Sequence, residues 1–202
     1  MVNIHHSTEE KILEAAKKIF HRKGYEGARM QEIADEAGIN KALLHYYFRT
    51  KENLFNAVFQ AAFRDIFSRL ILTVGSDDSL EDKLRKMIWE YIGFLQKNSY
   101  IPGFILAEIN QNPEKIVGVF NSIPINPVLV FEGVKDSVKD AKLDRVDPRD
   151  LFINILALCI FPIVAKPLLK VIFNFTEEEF SEFIEKRKKE LPDFIMNAIR
   201  KK

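Results

Sequence analysis

Apolar residues recur along this chain at three- and four-residue intervals, and no segment alternates in the two-residue rhythm of a strand. An all-α chain is therefore expected. Ser7 and Glu10 have capping-box spacing, and Ile12, Ala15, Ala16, Ile19 and Phe20 then form one stripe ending near Gly24. Met30, Ile33, Ala34 and Ala37 predict a short second helix stopped by Gly38. Asn40 can cap a third, with Leu44, Tyr47 and Phe48 inward, and Thr50 a fourth over 51–72, about 33 Å long. Ser79 opens a fifth helix. Pro102, Pro113 and Pro124 cut 100–126 into short pieces. Asn126-Pro127 and Asp147-Pro148 each start a helix, the second running to about Leu169. Thr176 and Glu179 box the last one, which Pro192 is expected to kink.

The strongest signal lies at 30–48. Ile33, Ala37, Ile39, Leu44 and Tyr47, with small Ala34 and turn Gly38, have helix-turn-helix spacing. Ala34 lets two helices approach, and Gly38 takes the positive φ of the turn. Burying Leu44 and Tyr47 turns Lys41, Ala42, His45 and Tyr46 outward, with Leu43 partly so, as a face able to enter a major groove. Lys41 and Lys51 add positive charge at helix starts, and Ala42 permits close approach. Leu43 suits a thymine methyl; His45 and Tyr46 offer hydrogen bonds. The competing reading is a small helical core that shares the spacing by chance.

The run Ile12–Lys51, with Gly24-Tyr25, Ile33-Ala34, Ala37-Gly38-Ile39 and Tyr46-Tyr47-Phe48-Arg49-Thr50-Lys51-Glu52-Asn53-Leu54, resembles the tetracycline-repressor (TetR) family of bacterial transcription regulators. The match covers about a quarter of the chain. It implies a helix-turn-helix DNA-binding domain at 1–50 and an all-helical ligand-binding and dimerisation domain at 51–202. The DNA-contacting residues become Arg29, Lys41, Ala42, Leu43, His45, Tyr46, Thr50 and Lys51. Arg29 stands where the family usually has a Ser or Thr cap, and Ala28 where Thr is common. Leu43 and His45 also depart from the usual residues, so no operator sequence carries over.

The resemblance further implies a homodimer through the last two helices, reading a palindromic double-stranded operator. It also implies a small lipophilic effector within the helical half. Phe63, Phe67, Trp89, Phe94, Phe104, Phe120 and Phe131 supply aromatic lining; Tyr100, Glu108 and Asn154 are polar groups in apolar surroundings. A solid aromatic core is the alternative. Recruitment of a protein partner is another, and it predicts an exposed apolar patch.

Composition sharpens this. The 202 residues hold 30 Lys+Arg against 29 Asp+Glu, a formal +1, which taken as an average argues against nucleic acid. The average conceals an acid-free stretch at 37–51 that carries Lys41, Arg49 and Lys51. Fifteen of the 17 Phe lie beyond that stretch. One cysteine, Cys159, removes any disulfide framework or Cys-based zinc cluster and fits a reducing cytosol. The first fifteen residues hold no apolar stretch, so no leader is expected. The apolar run Leu151–Ala165 is too short to span a membrane. His5, His6, His21 and His45 are dispersed, and no nucleophile–base set or phosphate-cradling loop is visible. Neither enzyme, metal nor cofactor is expected.

Overall fold

The computed structural model describes residues 7–111 and 113–200; His5 and His6 lie outside them. The described residues form helices only: α1 (Thr8–Gly27), α2 (Met30–Ala37), α3 (Lys41–Tyr47), α4 (Lys51–Val74), α5 (Leu80–Lys97), α6 (Tyr100–Gln111), α7 (Pro113–Asn121), α8 (Val128–Asp140), α9 (Pro148–Val164), α10 (Lys166–Phe173) and α11 (Glu177–Arg200). They cluster into two units, Met1–Phe63 with Asn98–Ile123, and Arg64–Lys97 with Pro124–Lys202.

In the first unit, α1 starts at a complete capping box: Glu10 N–H donates to Ser7 Oγ, and Ser7 N–H donates back to Glu10. Gly24, at φ 69°, interrupts the helix, a conformation that glycine alone takes at little cost. Tyr25 then packs edge-on to Phe55 at 4.9 Å and to Phe104 at 5.2 Å. Helix α1 packs against α2 and α6, and α2 against α3. The stripe residues Ile12, Ala15, Ala16, Ile19 and Phe20 are buried, together with Ile33, Ala34, Leu44, Leu54 and Phe55.

In the second unit, α5 packs against α9 and α11, and α8 against α9. Gly133 of α8 sits so close to Val74 that a Cβ there would overlap that side chain. Cys159 is buried, and burial pushes its thiol up to about 12, which keeps it protonated and inert.

The helix expected to reach Leu169 ends at Val164. Ala165 N–H closes the last turn onto Phe161, and Pro167 opens α10 at a bend of 71°. A proline tolerated at a helix start thus begins a new helix instead of ending an old one. Pro162 lies inside α9, and α11 runs through Pro192. Among the described residues no single helix is long and apolar enough to cross a membrane.

Candidate DNA interface

Three short-range features set α3. Gly38, at φ 68°, ends α2 in the left-handed region and returns its N–H to Ala34 and Asp35. Ile39 N–H also donates to Ala34 O, at 3.0 Å, which tightens the turn. Asn40 then caps α3 by accepting from Leu43 N–H at 2.8 Å. Leu44 is fully buried and Phe48 nearly so, and they hold the inner side.

The outer side carries Lys41, Ala42, Leu43, His45 and Tyr46, all exposed, Tyr46 at 81%. His45 Nδ1–H donates to Arg49 O at 3.1 Å, since a carbonyl can only accept. That fixes the tautomer and leaves Nε2 free to accept, for example from an amino group on a base edge. Thr50 is exposed, and its Oγ1 caps α4 by accepting from Asn53 N–H at 3.0 Å.

Tyr47 departs from its expected inward place: it is 40% exposed, with its ring edge-to-face with Tyr46 at 5.6 Å. The physical reason is local. The chain leaves the helix at Phe48 (φ −132°, ψ 97°), so no following turn covers Tyr47. Leu44 and Phe48 suffice to anchor α3. Tyr47 therefore joins the outer face, and its position at the final helical residue was the only sequence signal available.

Lys51 also differs from its expected use. Its ammonium donates to Tyr25 O at 2.9 Å, Glu26 O at 3.3 Å and Ala28 O at 3.4 Å, and lies 4.5 Å over the Tyr25 ring. All three of its donors are engaged in tying the end of α1 to the start of α4. A carbonyl cluster left at a helix end favours a cation, which accounts for the capture.

Arg29 is exposed and precedes α2 with no side-chain cap of its own. Two carboxylates of α2 are paired with cations of α1. Lys23 pairs with Glu32 at 2.8 Å, and Lys18 and Arg22 with Glu36 at 3.2 and 3.1 Å. The hydrogen bonds from Lys23 and Lys18 hold these two carboxyls below their usual range. Helix α3 itself carries no carboxylate.

The expected effector residues separate into the two units. Phe63, Tyr100, Phe104 and Phe120 belong to the first unit, where the aromatic rings pack on one another. Phe63 stacks on Phe59 at 4.3 Å and meets Phe120 at 5.3 Å, while Phe104 lies 4.2 Å from Phe55. Burial pushes the Tyr100 phenol up, and its hydroxyl has no partner among the described residues. Glu108 is half-buried.

In the second unit Phe67 is half-buried, Phe94 is buried beside Tyr91, and Phe131 meets Phe152 at 5.7 Å. Trp89 is 46% exposed beneath Lys188, and Asn154 is exposed and donates to Asp150 at 3.2 Å. Among the described residues no group of three or more His, Cys, Asp or Glu side chains is placed to hold a metal ion.

A capped pair α2–α3 with a glycine turn and one outward aromatic, basic face defines an all-α helix-turn-helix protein. Residues 12–58 match the family model of the bacterial regulatory proteins of the tetR family. A probable HTH-type transcriptional regulator of Bacillus subtilis, YttP, is 24% identical over 129 residues. That alignment covers 62% of this chain, which thus spans about three-fifths of that relative's length. The biofilm operon negative regulator IcaR of Staphylococcus aureus is 25% identical over 179 residues, covering 87% of this chain and 92% of IcaR. Bacillus subtilis FadR, solved with stearoyl-CoA, has the same fold, with a TM-score of 0.65 at 15% identity. The similarity covers 90% of this chain and 96% of FadR.

Proposed function

We propose that this protein is a dimeric transcriptional repressor, released from a palindromic operator by a lipophilic small molecule. The observation that carries the reading is the outer face of α3: Lys41, His45, Tyr46 and Tyr47 exposed together, with no carboxylate on the helix. Residues 1–50 act as the DNA-binding domain and 51–202 as the ligand-binding and dimerisation domain. Arg29, Lys41 and Thr50 contact phosphate; Ala42, Leu43, His45 and Tyr46 meet bases. Lys51 supports the interface by holding α1 to α4. The site of action is the cytoplasm.

One recognition helix is a weak reader, so two copies are needed. Helices α9 and α11 supply the dimer face. Ile153, Phe161 and Val164 on α9 and Phe194 on α11 are exposed, and Leu168, Val171, Ile172 and Phe173 extend that apolar surface along α10. The name of IcaR as a negative regulator supports repression. The acyl-CoA held by FadR supports a lipophilic effector. Its seat is the aromatic cluster of Phe63, Phe104 and Phe120, with Tyr100 and Glu108 as polar groups, opened by parting the rings.

Helix α4 is continuous from Lys51 to Val74, about 36 Å. An effector that tilts it moves the recognition helices away from the one-turn spacing of about 34–36 Å. A preference of a few kcal/mol for the tilted state releases the DNA. Recruitment of a protein partner is the second reading, favoured by Leu72 standing 75% exposed on α4, outside the proposed dimer face.

A gel shift on the gene's own upstream region, at stated salt and with unrelated competitor DNA, tests the central claim. Specific retention of that region is expected. Equal retention of unrelated DNA overturns it.

A further inference from the structure

Within the second unit, the start of α5 and the ends of α8 and α11 line an open-mouthed cavity of about 350 Å³, within the size range of small-molecule sites. Leu80, Leu143 and Met196 form apolar wall, while Lys83, Ser137 and Arg200 bring polar atoms to it.

Lys83 is the unusual member. It is 9% exposed, and its ammonium donates to Ser137 Oγ at 3.2 Å. The Ser137 hydroxyl proton is already committed to Gly133 O at 2.7 Å, so the oxygen offers Lys83 only a lone pair. Among the described residues no carboxylate lies within ion-pair distance of Lys83. Two of the three acids on the cavity wall pair with other cations. Asp78 pairs with Lys86 at 2.5 Å and with the Ser76 hydroxyl at 2.7 Å. Glu81 pairs with Arg85 at 2.9 Å and Arg200 at 3.1 Å. Asp78 acts on Lys83 only at longer range, so the buried ammonium has one neutral hydrogen-bond partner; that is costly, and an anion in the cavity would relieve the cost.

We infer that this cavity binds a small monocarboxylate, its carboxylate seated on the Lys83 ammonium and its apolar body against Leu80, Leu143 and Met196. Lys83 lines this partly apolar space with one of its three ammonium donors committed to Ser137. The sign and size of the charge follow from the wall. A single negative charge matches Lys83, among the described residues the one wall cation without an ion pair, whereas the second charge of a dianion such as phosphate would be opposed by the unpaired Asp140 on the same wall. None of these residues belongs to the aromatic cluster or to α3, so the site is independent of the operator and effector readings.

Titration calorimetry on the full chain, without DNA, tests this with sodium isovalerate, sodium benzoate, inorganic phosphate and isoamyl alcohol, the uncharged analogue of isovalerate. Saturable binding of a carboxylate is expected, at least tenfold tighter than of the alcohol or phosphate. Lys83→Met should weaken it at least tenfold and Lys83→Arg much less. Leu143→Trp, which fills the cavity and leaves the ammonium in place, should also abolish it. That variant decides the matter if Lys83→Met fails to fold. Overturning results are no saturable binding of either carboxylate, equal binding of the alcohol, tighter binding of phosphate, or unchanged binding in a folded Lys83→Met or Leu143→Trp protein.

Discussion

Helices α3 and α10 are nearly equal in length, at 7 and 8 residues, and each is too short to persist alone. α3 buries only Leu44, and α10 has no buried residue. Tyr46 on α3 is 81% exposed and Val171 on α10 is 80% exposed. Those matching numbers describe opposite chemistry. The α3 side chains end in a hydroxyl, an imidazole and an ammonium, which lose little by meeting water or a hydrated groove. On α10, Leu168, Val171, Ile172 and Phe173 end in hydrocarbon, and its two cations turn to Glu177. Exposure alone does not identify a partner; the chemistry at the tip of the side chain does.

The comparison breaks most sharply at the dimer. Replacing Val171 by Asp puts a charge where an apolar partner is proposed, and two-fold symmetry counts each change twice. Losing burial of one valine on each side costs roughly 3–6 kcal/mol. The dimer dissociation constant should rise about a hundredfold or more in sedimentation equilibrium, and Phe161→Asp on α9 should act likewise. An unchanged constant for both would remove α9 and α10 from the interface.

Next in size is the anchor of α3. Leu44 is fully buried, so Leu44→Ala should cost about 2–5 kcal/mol in urea unfolding. A loss below about 1 kcal/mol would mean that α3 is held by its caps alone.

Much of this was readable in advance because it depends on neighbours in sequence. The boxes at Ser7 and Thr176, the caps at Asn40, Thr50 and Ser79, and the stop at Gly38 each need only residues within one turn, and each forms as its spacing implies. The acid-free face was equally legible, as a run of residue types. What escaped depends on partners distant in the chain. Lys51 finds carbonyls of residues 25–28, a contact that no spacing rule encodes. Phe104 and Phe131 look alike in sequence, yet one packs on Phe55 and the other on Phe152. The break at Ala165 was hidden because an unbroken apolar run reads as one helix whether or not Pro167 starts a second.

Tyr47 sharpens the contrast further. As an exposed residue, Tyr47→Ala should leave stability within about 0.5 kcal/mol. It should weaken specific DNA binding by about tenfold, the scale of one lost hydrogen bond to a charged group. Tyr46→Ala should do at least as much. If instead Tyr47→Ala lowers stability by several kcal/mol, the ring is part of the core.

The smallest expected effect concerns what holds α10 in place. Glu177 accepts from Lys166 and from Lys170, each at 2.6 Å, and these two hydrogen bonds depress its carboxyl from 4.5 to about 2. A carboxyl whose folded value is depressed stabilises the fold above its unfolded value and loses that contribution as pH falls through the folded one. The Glu177 contribution is therefore intact above about pH 4.5 and declines toward pH 2. The group is exposed, so screening keeps the effect on stability small, and the direct reading is spectroscopic. Carboxyl carbon NMR should place the Glu177 midpoint near 2 in the native chain and near the ordinary carboxylate range in Lys166→Ala/Lys170→Ala. Hydrogen exchange at the α10 amides should quicken in that double variant while α3 is unaffected. A native midpoint near 4.5 would mean that these pairs do not hold α10, leaving its hydrocarbon face to be fixed only by the partner that covers it.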